Sequence, residues 1–477
     1  MGKEVQKRLP QDYNMIATPV IAIFDVGKTN KKLFLFNKRY EVVEEESYPF
    51  PEIADEDGFP TEDIHSVSKW VKTTIDRLVR DPAKKLVACN WCAYGASFVH
   101  LDKGGKILTP LYNYLKPYPE ELQEKLYEQY EGAMVFARKT ASPLLGNLNS
   151  GLQLYRLKEE KPELFRKIHH ALHLPQYLSY LLTGRIYSDI TSIGCHTALW
   201  DFGRQNYHEW VAREQLLPKM APIHAGDQGF SVNLKGHPLV AGVGLHDSSS
   251  ALIPYLAGFI QPFALLSTGT WCITLNPFNQ SSLTADELEQ DCLCYMEYRG
   301  KPVKASRLFA GQEHDIQSKR IAEQFNQPTD FYKRIEYQPE VLTLLGMKEK
   351  NQKNAVSTPD IESSGFEKRN LSSFNNVVEA YHQLISDLVS QQVYSTNLVL
   401  LKGPVRKIFV DGGFGRNALY MQLLANAFPR HEVYAASLSQ ASALGAALAI
   451  HHSWNENPLP RDFIELKYFP AAKKQGL

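Results

Sequence analysis

The chain has 477 residues, 44% hydrophobic and 22% charged, which suits a globular protein of two domains better than one ordinary core. Its 52 Lys and Arg balance its 52 Asp and Glu, so no net field favours nucleic acid or an anionic membrane as a partner. It shows no apolar run of about 18 residues and no signal-peptide pattern, and it reads as a soluble cytoplasmic protein.

Residues 1–18 read as a polar arm. Three short strands follow at Val20–Phe24, Leu33–Phe36 and Val42–Tyr48, joined by turn residues as in a meander. An amphipathic helix around Val67–Val79 leads into another strand at Leu86–Asn90, and this order predicts a mixed sheet with helical cover. The stretch from about Tyr112 to Leu217 is mostly helical; Pro162 starts a new helix, and the helix in "LPQYLSYLLTG" (174–184) ends at Gly184. The second half repeats the theme: strand, Thr-Gly-Thr turn and strand over 262–277, a helix at Val377–Gln392, a strand into a Gly-rich turn over 407–417, then helices at Ala418–Ala427 and Gln440–His452. Residues 346–376 lack periodicity and read as a loop. Two similar units imply a duplicated fold.

The six cysteines include Cys89-x-x-Cys92 and Cys292-x-Cys294, but no second pair stands at zinc-finger spacing. They read as small buried hydrophobes and not as metal ligands.

"IAIFDVGKTNKKLFLFN" (21–37) contains Gly27-Lys28-Thr29, the ending of a Walker A loop. The P-loop reading fails because the position five before Gly27 is Ala22, not Gly, and because an alternating strand follows where a helix is required. Two further turns of this kind stand at strand ends, Thr268-Gly269-Thr270 and Gly412-Gly413-Phe414-Gly415. Turns of glycine and short hydroxyls let backbone amides approach phosphate oxygens. Any one of them reads equally as an ordinary hairpin; the three in this order fit a two-lobed nucleotide fold like that of actin-like ATPases and sugar kinases.

The chain resembles the FGGY carbohydrate kinase family over most of its length. "LPQYLSYLLTGRIYSDITSIGCHTALWD" (174–201), "GLHDSSSAL" (244–252), "LLSTGTW" (265–271), "DGGFGRNALYMQLLANAF" (411–428) and "SALGAALAI" (442–450) carry the resemblance. Among subfamilies, His246-Asp247 and Arg416-Asn417-Ala418-Leu419 look most like the kinases of L-rhamnulose and L-fuculose. The resemblance implies an α/β fold of two ribonuclease-H-like (actin-like ATPase) domains with an interdomain cleft. A mainly sugar-binding domain would span 19–250 and a mainly ATP-binding domain 251–477. It implies ATP and Mg²⁺ as cofactors, a small sugar as substrate, neither nucleic acid nor membrane as partner, and it is compatible with a homodimer.

Site residues carry over position by position. Asp247 is implied as general base, its other reading being a helix cap. Asp25 is implied as the holder of Mg²⁺ through water, its other reading a turn-stabilising carboxylate. Gly27, Thr29, Thr268, Gly269 and Thr270 are implied at the phosphates, and Gly412, Gly413, Asn417 and Gln422 at the α-phosphate and adenosine. Arg307 is either a phosphate ligand or a surface arginine. Lys28 stands where the family usually has a small residue, and either adds a charge at the phosphate or is solvated. Trp91, Tyr94 and His246 are the candidate sugar contacts. Ser97, where the nearest kinases tend to carry Asp, and residues 111–121, which lack the family's Asp-x-Arg ending, depart from the pattern. The implied reaction is ATP-dependent phosphorylation of a sugar primary hydroxyl, C1 of L-fuculose or L-rhamnulose first and a xylulose-type pentulose second. An actin-like ATPase without a sugar substrate is the competing class.

Overall fold

The computed structural model describes residues 17–351, 364–400, 403–438, 440–460 and 462–472. Most of the expected N-terminal arm, residues 1–16, and residues 352–363 of the expected loop lie outside the described residues.

The first sheet is built from β1 (Thr18–Val26), β2 (Lys31–Asn37) and β3 (Val42–Tyr48), an antiparallel meander, after which α1 (Ile64–Val79) crosses to β4 (Lys84–Ala93), parallel to β1. Asp63 starts α1 by accepting the backbone N–H groups of His65 and Ser66 at 2.9 and 3.2 Å. Helices at Glu120–Gln129, Ala133–Thr140, Ser150–Glu160 and Pro162–Lys167 follow, then α2 (Leu174–Thr183), which stops at Gly184 with φ of 64°. The chain returns through β5 (Phe230–Leu234), β6 (His237–Ala241) and the short β7 (Leu245–His246). The sheet order is β5-β6-β4-β1-β2-β3, with β7 also beside β4.

Helix α3 (Asp247–Gly258) carries the chain into the second sheet. That sheet contains β8 (Phe263–Thr268), β9 (Cys272–Asn276), β10 (Cys292–Met296) and β11 (Pro302–Leu308). After α4 (Ala310–Gln324), α5 (Pro339–Asn351) and α6 (Val377–Leu400) come β12 (Lys407–Gly412), α7 (Ala418–Ala427), β13 (Glu432–Ser437), α8 (Ala441–Ala449) and β14 (Glu465–Phe469). The order is β10-β11-β9-β8-β12-β13-β14. In both sheets an antiparallel run, of three strands in the first and four in the second, is followed by two strands parallel to its inner member and then an antiparallel edge strand, the duplication expected from the sequence. One expectation needs correcting: α5 runs into the stretch read as a loop from 346, and 3-10 turns at Phe366–Lys368 and Leu371–Ser373 follow the undescribed part.

Period-2 alternation sorts the β1 side chains. Val20, Ala22, Phe24 and Val26 face the core under α1 and α2, while Ile21 and Ile23 face the opposite way, into a core shared with the second sheet. Helices α3 and α8 fill that shared core, bringing Leu252, Ile253, Ala443 and Ala446 between Phe36 on one side and Phe263 and Phe409 on the other. The far face of the second sheet is covered by α4, α6 and α7. The molecule is therefore layered: helices, sheet, two buried helices, sheet, helices.

The two central helices approach so closely that a Cβ on Gly445 of α8 would overlap the Ser250 carbonyl of α3. Ser250 Oγ in turn donates to the Ser442 carbonyl at 2.7 Å. Helix α8 is also pinned to the first sheet, where Asn90 Nδ2 of β4 donates to the Ala446 carbonyl at 2.8 Å. Gly445→Ala should therefore destabilise the fold by about 1–3 kcal/mol, the usual cost of overpacking. Gly346→Ala on α5, with open space around it, should be neutral or stabilising by up to about 1 kcal/mol. Urea titration of the two variants checks this; equal midpoints would contradict the close crossing.

Candidate active site

The C-terminal ends of β1, β4 and β7 lie side by side, with Asp25 opposite Cys92 and Leu245 beside Cys92. Strand ends of this kind, at a change of sheet order, are where α/β folds place ligands. Two of the predicted acids meet here. Asp25 ends its strand, Asp247 begins α3, and each lies within the other's field. Burial raises the Asp25 carboxyl to about 6; a hydrogen bond from Ser442 Oγ to Oδ2 at 2.7 Å opposes the rise, and the charge of Asp247 adds to it. Asp247 Oδ1 accepts the Ser248 N–H at 2.6 Å and lies 3.3 Å from His246 Nε2. Asp247 is thus the first residue of the helix and not its cap, which is His246.

The β1–β2 turn closes through the Gly27 N–H, which donates to the Asn30 carbonyl at 2.9 Å, and Thr29 is exposed at its tip. Lys28 is neither solvated nor free: its Nζ lies 2.6 Å from Glu52 and 3.6 Å from Glu62. Buried Lys31 braces the turn, donating to the Lys28 carbonyl at 2.8 Å and pairing with Glu62 at 3.0 Å. In the second hairpin Gly269 and Thr270 are exposed, but Thr268 is not available to a phosphate. Its hydroxyl donates to the Asp411 carbonyl at 2.6 Å and accepts the Phe414 N–H at 3.0 Å, which corrects its expected role: it ties β8 to the Gly-rich turn. Gly412, at φ of 93°, passes so near the Thr268 carbonyl that a side chain would overlap it, and the Gly413 N–H donates to that carbonyl at 3.0 Å.

A cavity of about 710 Å³ lies between these turns and β14, lined by Ser267, Gly412, Arg416, Ser437, Ser442 and Lys467 among others. Ser442 is also the partner of Asp25, so the cavity reaches the acid of the first sheet. Asn417 and Gln422 are committed elsewhere. Asn417 caps α7 on the Tyr420 N–H at 3.1 Å and donates to the Tyr381 hydroxyl at 2.8 Å, while Gln422 donates to Asn426 and to the Pro470 carbonyl at 3.1 and 2.8 Å. Arg416, quoted from the sequence as part of a motif but given no role there, and Lys467, not singled out at all, are the cations on this cavity; β14 has no glycine turn or motif to mark it.

Arg307 is no surface residue. It is 8% exposed, forks onto Asp291 with contacts of 2.5 and 3.1 Å, and lies over the Trp271 ring. Trp91 is also displaced from its expected role: it is wholly buried and stacked on Phe24, because β4 alternation turns it toward α1 while Cys92 takes the other side. Tyr94 is buried edge-on against Tyr114 at 5.7 Å, and burial together with Glu62 pushes its phenol well above the usual range. His246 stacks on Tyr295 of β10 at 5.6 Å and meets His196 edge-on at 6.0 Å. Burial lowers the His246 pKa against the pull of Asp247, and burial foremost holds His196 at about 3, so both rings favour the neutral form. Gly95 leaves room for them: a Cβ there would stand 2.8 Å from the His246 ring. Tyr114, His196 and Tyr295 were not singled out from the sequence, although Tyr114 lies in the departing 111–121 stretch. Ser97 is buried, its hydroxyl donating to the Tyr112 carbonyl at 2.6 Å, so it supports the loop from beneath.

Residues 20–221 match the N-terminal domain of the FGGY family of carbohydrate kinases, and residues 260–458 match the carbohydrate kinase FGGY C-terminal domain. The chain belongs to the FGGY family of carbohydrate kinases. Helix α3, with Asp247, falls between the two FGGY ranges, and β14 lies beyond them. The chain is 24% identical over 267 residues to a rhamnulokinase of Halalkalibacterium halodurans, covering 52% of this chain and 54% of that protein. It is 25% identical over 280 residues to an L-fuculokinase of Escherichia coli K12, covering 54% and 56%. These alignments span about half the length of the curated relatives. In structure it resembles a carbohydrate kinase from Novosphingobium aromaticivorans, with TM-score 0.76, 22% identity and coverage of 96% and 95%. It also resembles a ligand-bound xylulose kinase from Lactobacillus acidophilus, with TM-score 0.75, 16% identity and coverage of 95% and 94%. Both likenesses extend the shared FGGY fold to nearly the whole chain. No helix among the described residues is long and apolar enough to cross a membrane.

The folded Asp25 carboxyl keeps its proton up to about pH 6, whereas the reference carboxyl loses it near 3.8. The stability this contributes is complete below the lower value and is lost as pH rises through the upper one. Asp25→Asn removes the burden of a buried charge, so in chelator-treated buffer it should raise Tm at pH 7.5 by more than at pH 5. An equal difference at the two pH values would show that Asp25 is not desolvated.

Proposed function

We propose that this chain transfers the γ-phosphoryl group of ATP to the primary hydroxyl of an uncharged ketose. The observation that carries the reading is the meeting of Asp247, neutral His246 and Asp25 at one strand-end junction, with Ser442 linking Asp25 to the cavity of the second sheet. Phosphoryl transfer asks a protein chiefly for positioning and charge stabilisation, with one group to take the hydroxyl proton. Asp247 is that group: Oδ1 is held by the Ser248 N–H and faces His246, leaving Oδ2 to accept the proton. Neutral His246 orients the carboxylate and the attacking hydroxyl. Thr29 and Thr270 hold the phosphates, the Gly269 amide closing its own turn on the Trp271 carbonyl at 2.9 Å, and Gly412 and Gly413 let the nucleotide approach the backbone.

Asp25 fits a hydrated divalent cation, because a carboxylate this buried, facing a second carboxylate, is stabilised in its charged form by a positive neighbour. Mg²⁺ held there through water would neutralise the phosphates. The preference for an uncharged sugar follows from the cations placed at the site by the sequence. Arg307 is forked onto Asp291 and Lys28 is paired with Glu52 and Glu62, so neither is left to meet a sugar carboxylate. The names of the curated relatives, rhamnulokinase and L-fuculokinase, support rhamnulose or L-fuculose as the first ketoses to test, with C1 as the proposed acceptor, and a xylulose-type pentulose is the second.

The test is ADP release over a panel of ketoses, with the phosphorylated carbon located by NMR. Release should require a ketose, and Asp247→Asn should lower turnover by about 10²–10⁴-fold while ATP binding, read by calorimetry, survives. Sugar-independent hydrolysis would favour the actin-like ATPase, and near-normal turnover of Asp247→Asn would remove the base assignment.

A further inference from the structure

A second cluster of ligand atoms stands beside the catalytic pair. Cys195 Sγ, one nitrogen of His196 and one of His246 all lie within 4.8 Å of one another, and the three residues are 1%, 8% and 3% exposed. The short helix Ile190–Ile193 brings them together: Asp189 caps it, Thr191 Oγ1 accepts the His246 backbone N–H at 2.9 Å, and Cys195 and His196 follow directly. His196 Nδ1 faces the Leu148 carbonyl at 3.2 Å, which sets its proton on that nitrogen and turns a lone pair out on Nε2. Gly95 is bare where the ligands converge, since a Cβ would stand 2.8 Å from the His246 ring and 3.1 Å from Cys195 Sγ.

We propose that Cys195, His196 and His246 form a binding site for a borderline-soft divalent cation, Zn²⁺, separate from the Asp25 site, and that its occupation shuts off sugar phosphorylation. One thiolate and two imidazoles select Zn²⁺ over Mg²⁺, which takes oxygen ligands. Three protein ligands leave a fourth position for water. Metal bonds of about 2.0–2.3 Å place donors roughly 3.5 Å apart, so ligand atoms that already lie within 4.8 Å of one another close by about 1 Å at most on binding. The sulfur–metal bond forms as the Cys195 S–H bond, now directed at the Ser192 carbonyl at 3.1 Å, breaks and its proton leaves on a water shed by the ion; bonding to the metal offsets the burial that pushes this thiol well above its usual range. His246 Nε2 is 3.3 Å from Asp247 Oδ1, so a metal that engages this ring takes away the side chain that orients the carboxylate and crowds the place of the attacking hydroxyl. Tyr295 of the second sheet stacks on His246 at 5.6 Å and meets His196 edge-on at 6.3 Å, closing that side of the cluster.

Binding does not depend on the kinase reading; inhibition does. The full chain, stripped with chelator and free of nucleotide, is titrated with Zn²⁺ against a chromophoric chelator, and Co²⁺ is added separately to look for a thiolate-to-metal absorption band. One equivalent of Zn²⁺ and the Co²⁺ band are expected, with affinity at least 10-fold lower in both Cys195→Ser and His196→Gln. Metal-free Tm establishes that each variant is folded. Wild-type binding no tighter than that of Cys195→Ser, or a Co²⁺ spectrum without the band, overturns the site. In the ketose assay, Zn²⁺ should inhibit the wild type and leave Cys195→Ser active, whereas binding without inhibition overturns the regulatory half. If no ketose is phosphorylated, the kinase reading falls and the titration alone decides the site.

Discussion

The contact between α3 and α8 sets what the rest of the molecule can do. Two helices can lie side by side between two sheets only if their backbones come close, and the Gly445–Ser250 approach provides that closeness. Helix α8 is almost all Ala, Ser and Gly, with little side chain to keep a neighbour away. The sheets are thereby brought near enough to share a core in which Ile21 and Phe36 of one lie with Phe263 and Phe409 of the other. The joint is thus made of two close-packed helices and not of interlocked strands, tied to each other through Ser250 and to the first sheet through Asn90.

Burial explains the chemistry of the junction better than any list of charges. Asp25 is raised to about 6 mainly by desolvation, and the neutral states of His196 and His246 have the same origin. The cations that a sequence reader would assign to phosphate are used up by nearby carboxylates: Lys28 by Glu52 and Glu62, Arg307 by Asp291. The first sheet therefore contributes an acidic and otherwise neutral surface, and Arg416 and Lys467 on the second-sheet cavity carry the positive charge. That division suits an uncharged acceptor on one side and a polyanionic donor on the other.

Local signals made much of this legible. The alternation around 20–37, the glycine turns and the Leu-Thr-Gly helix end gave the sheets, and the turn glycines marked the strand ends where Asp25 and Gly412 stand. What failed depended on parity and partners. Trp91 follows Asn90 in a strand whose face a single sequence does not disclose, and one position decides between core and cleft. Thr268 looked like a phosphate donor until the Asp411 carbonyl, 143 residues later, claimed its hydroxyl. His196 and Tyr295 were invisible because they come from a helical excursion and a strand of the other sheet, and only packing brings them to His246.

The duplicated sheets use the same register for different ends. In the first, the strand-end acid is Asp25 on the leading strand, opposite Cys92; in the second, the leading strand carries Ser267 and the acid is its parallel neighbour, Asp411. Each acid takes a hydroxyl from one of the central helices: Asp25 from Ser442 of α8, Asp411 from Tyr255 of α3 at 3.0 Å. Helix α8, which lies between β13 and β14 of the second sheet, serves the acid of the first, and α3, which follows the first sheet, serves that of the second. Asp25 is thus held by a helix from the other half of the chain, and Asp411 by the helix that joins the two sheets. A displacement of either helix disturbs an acid at a strand end of the other sheet, which couples the relative position of the two halves to the electrostatics of the junction.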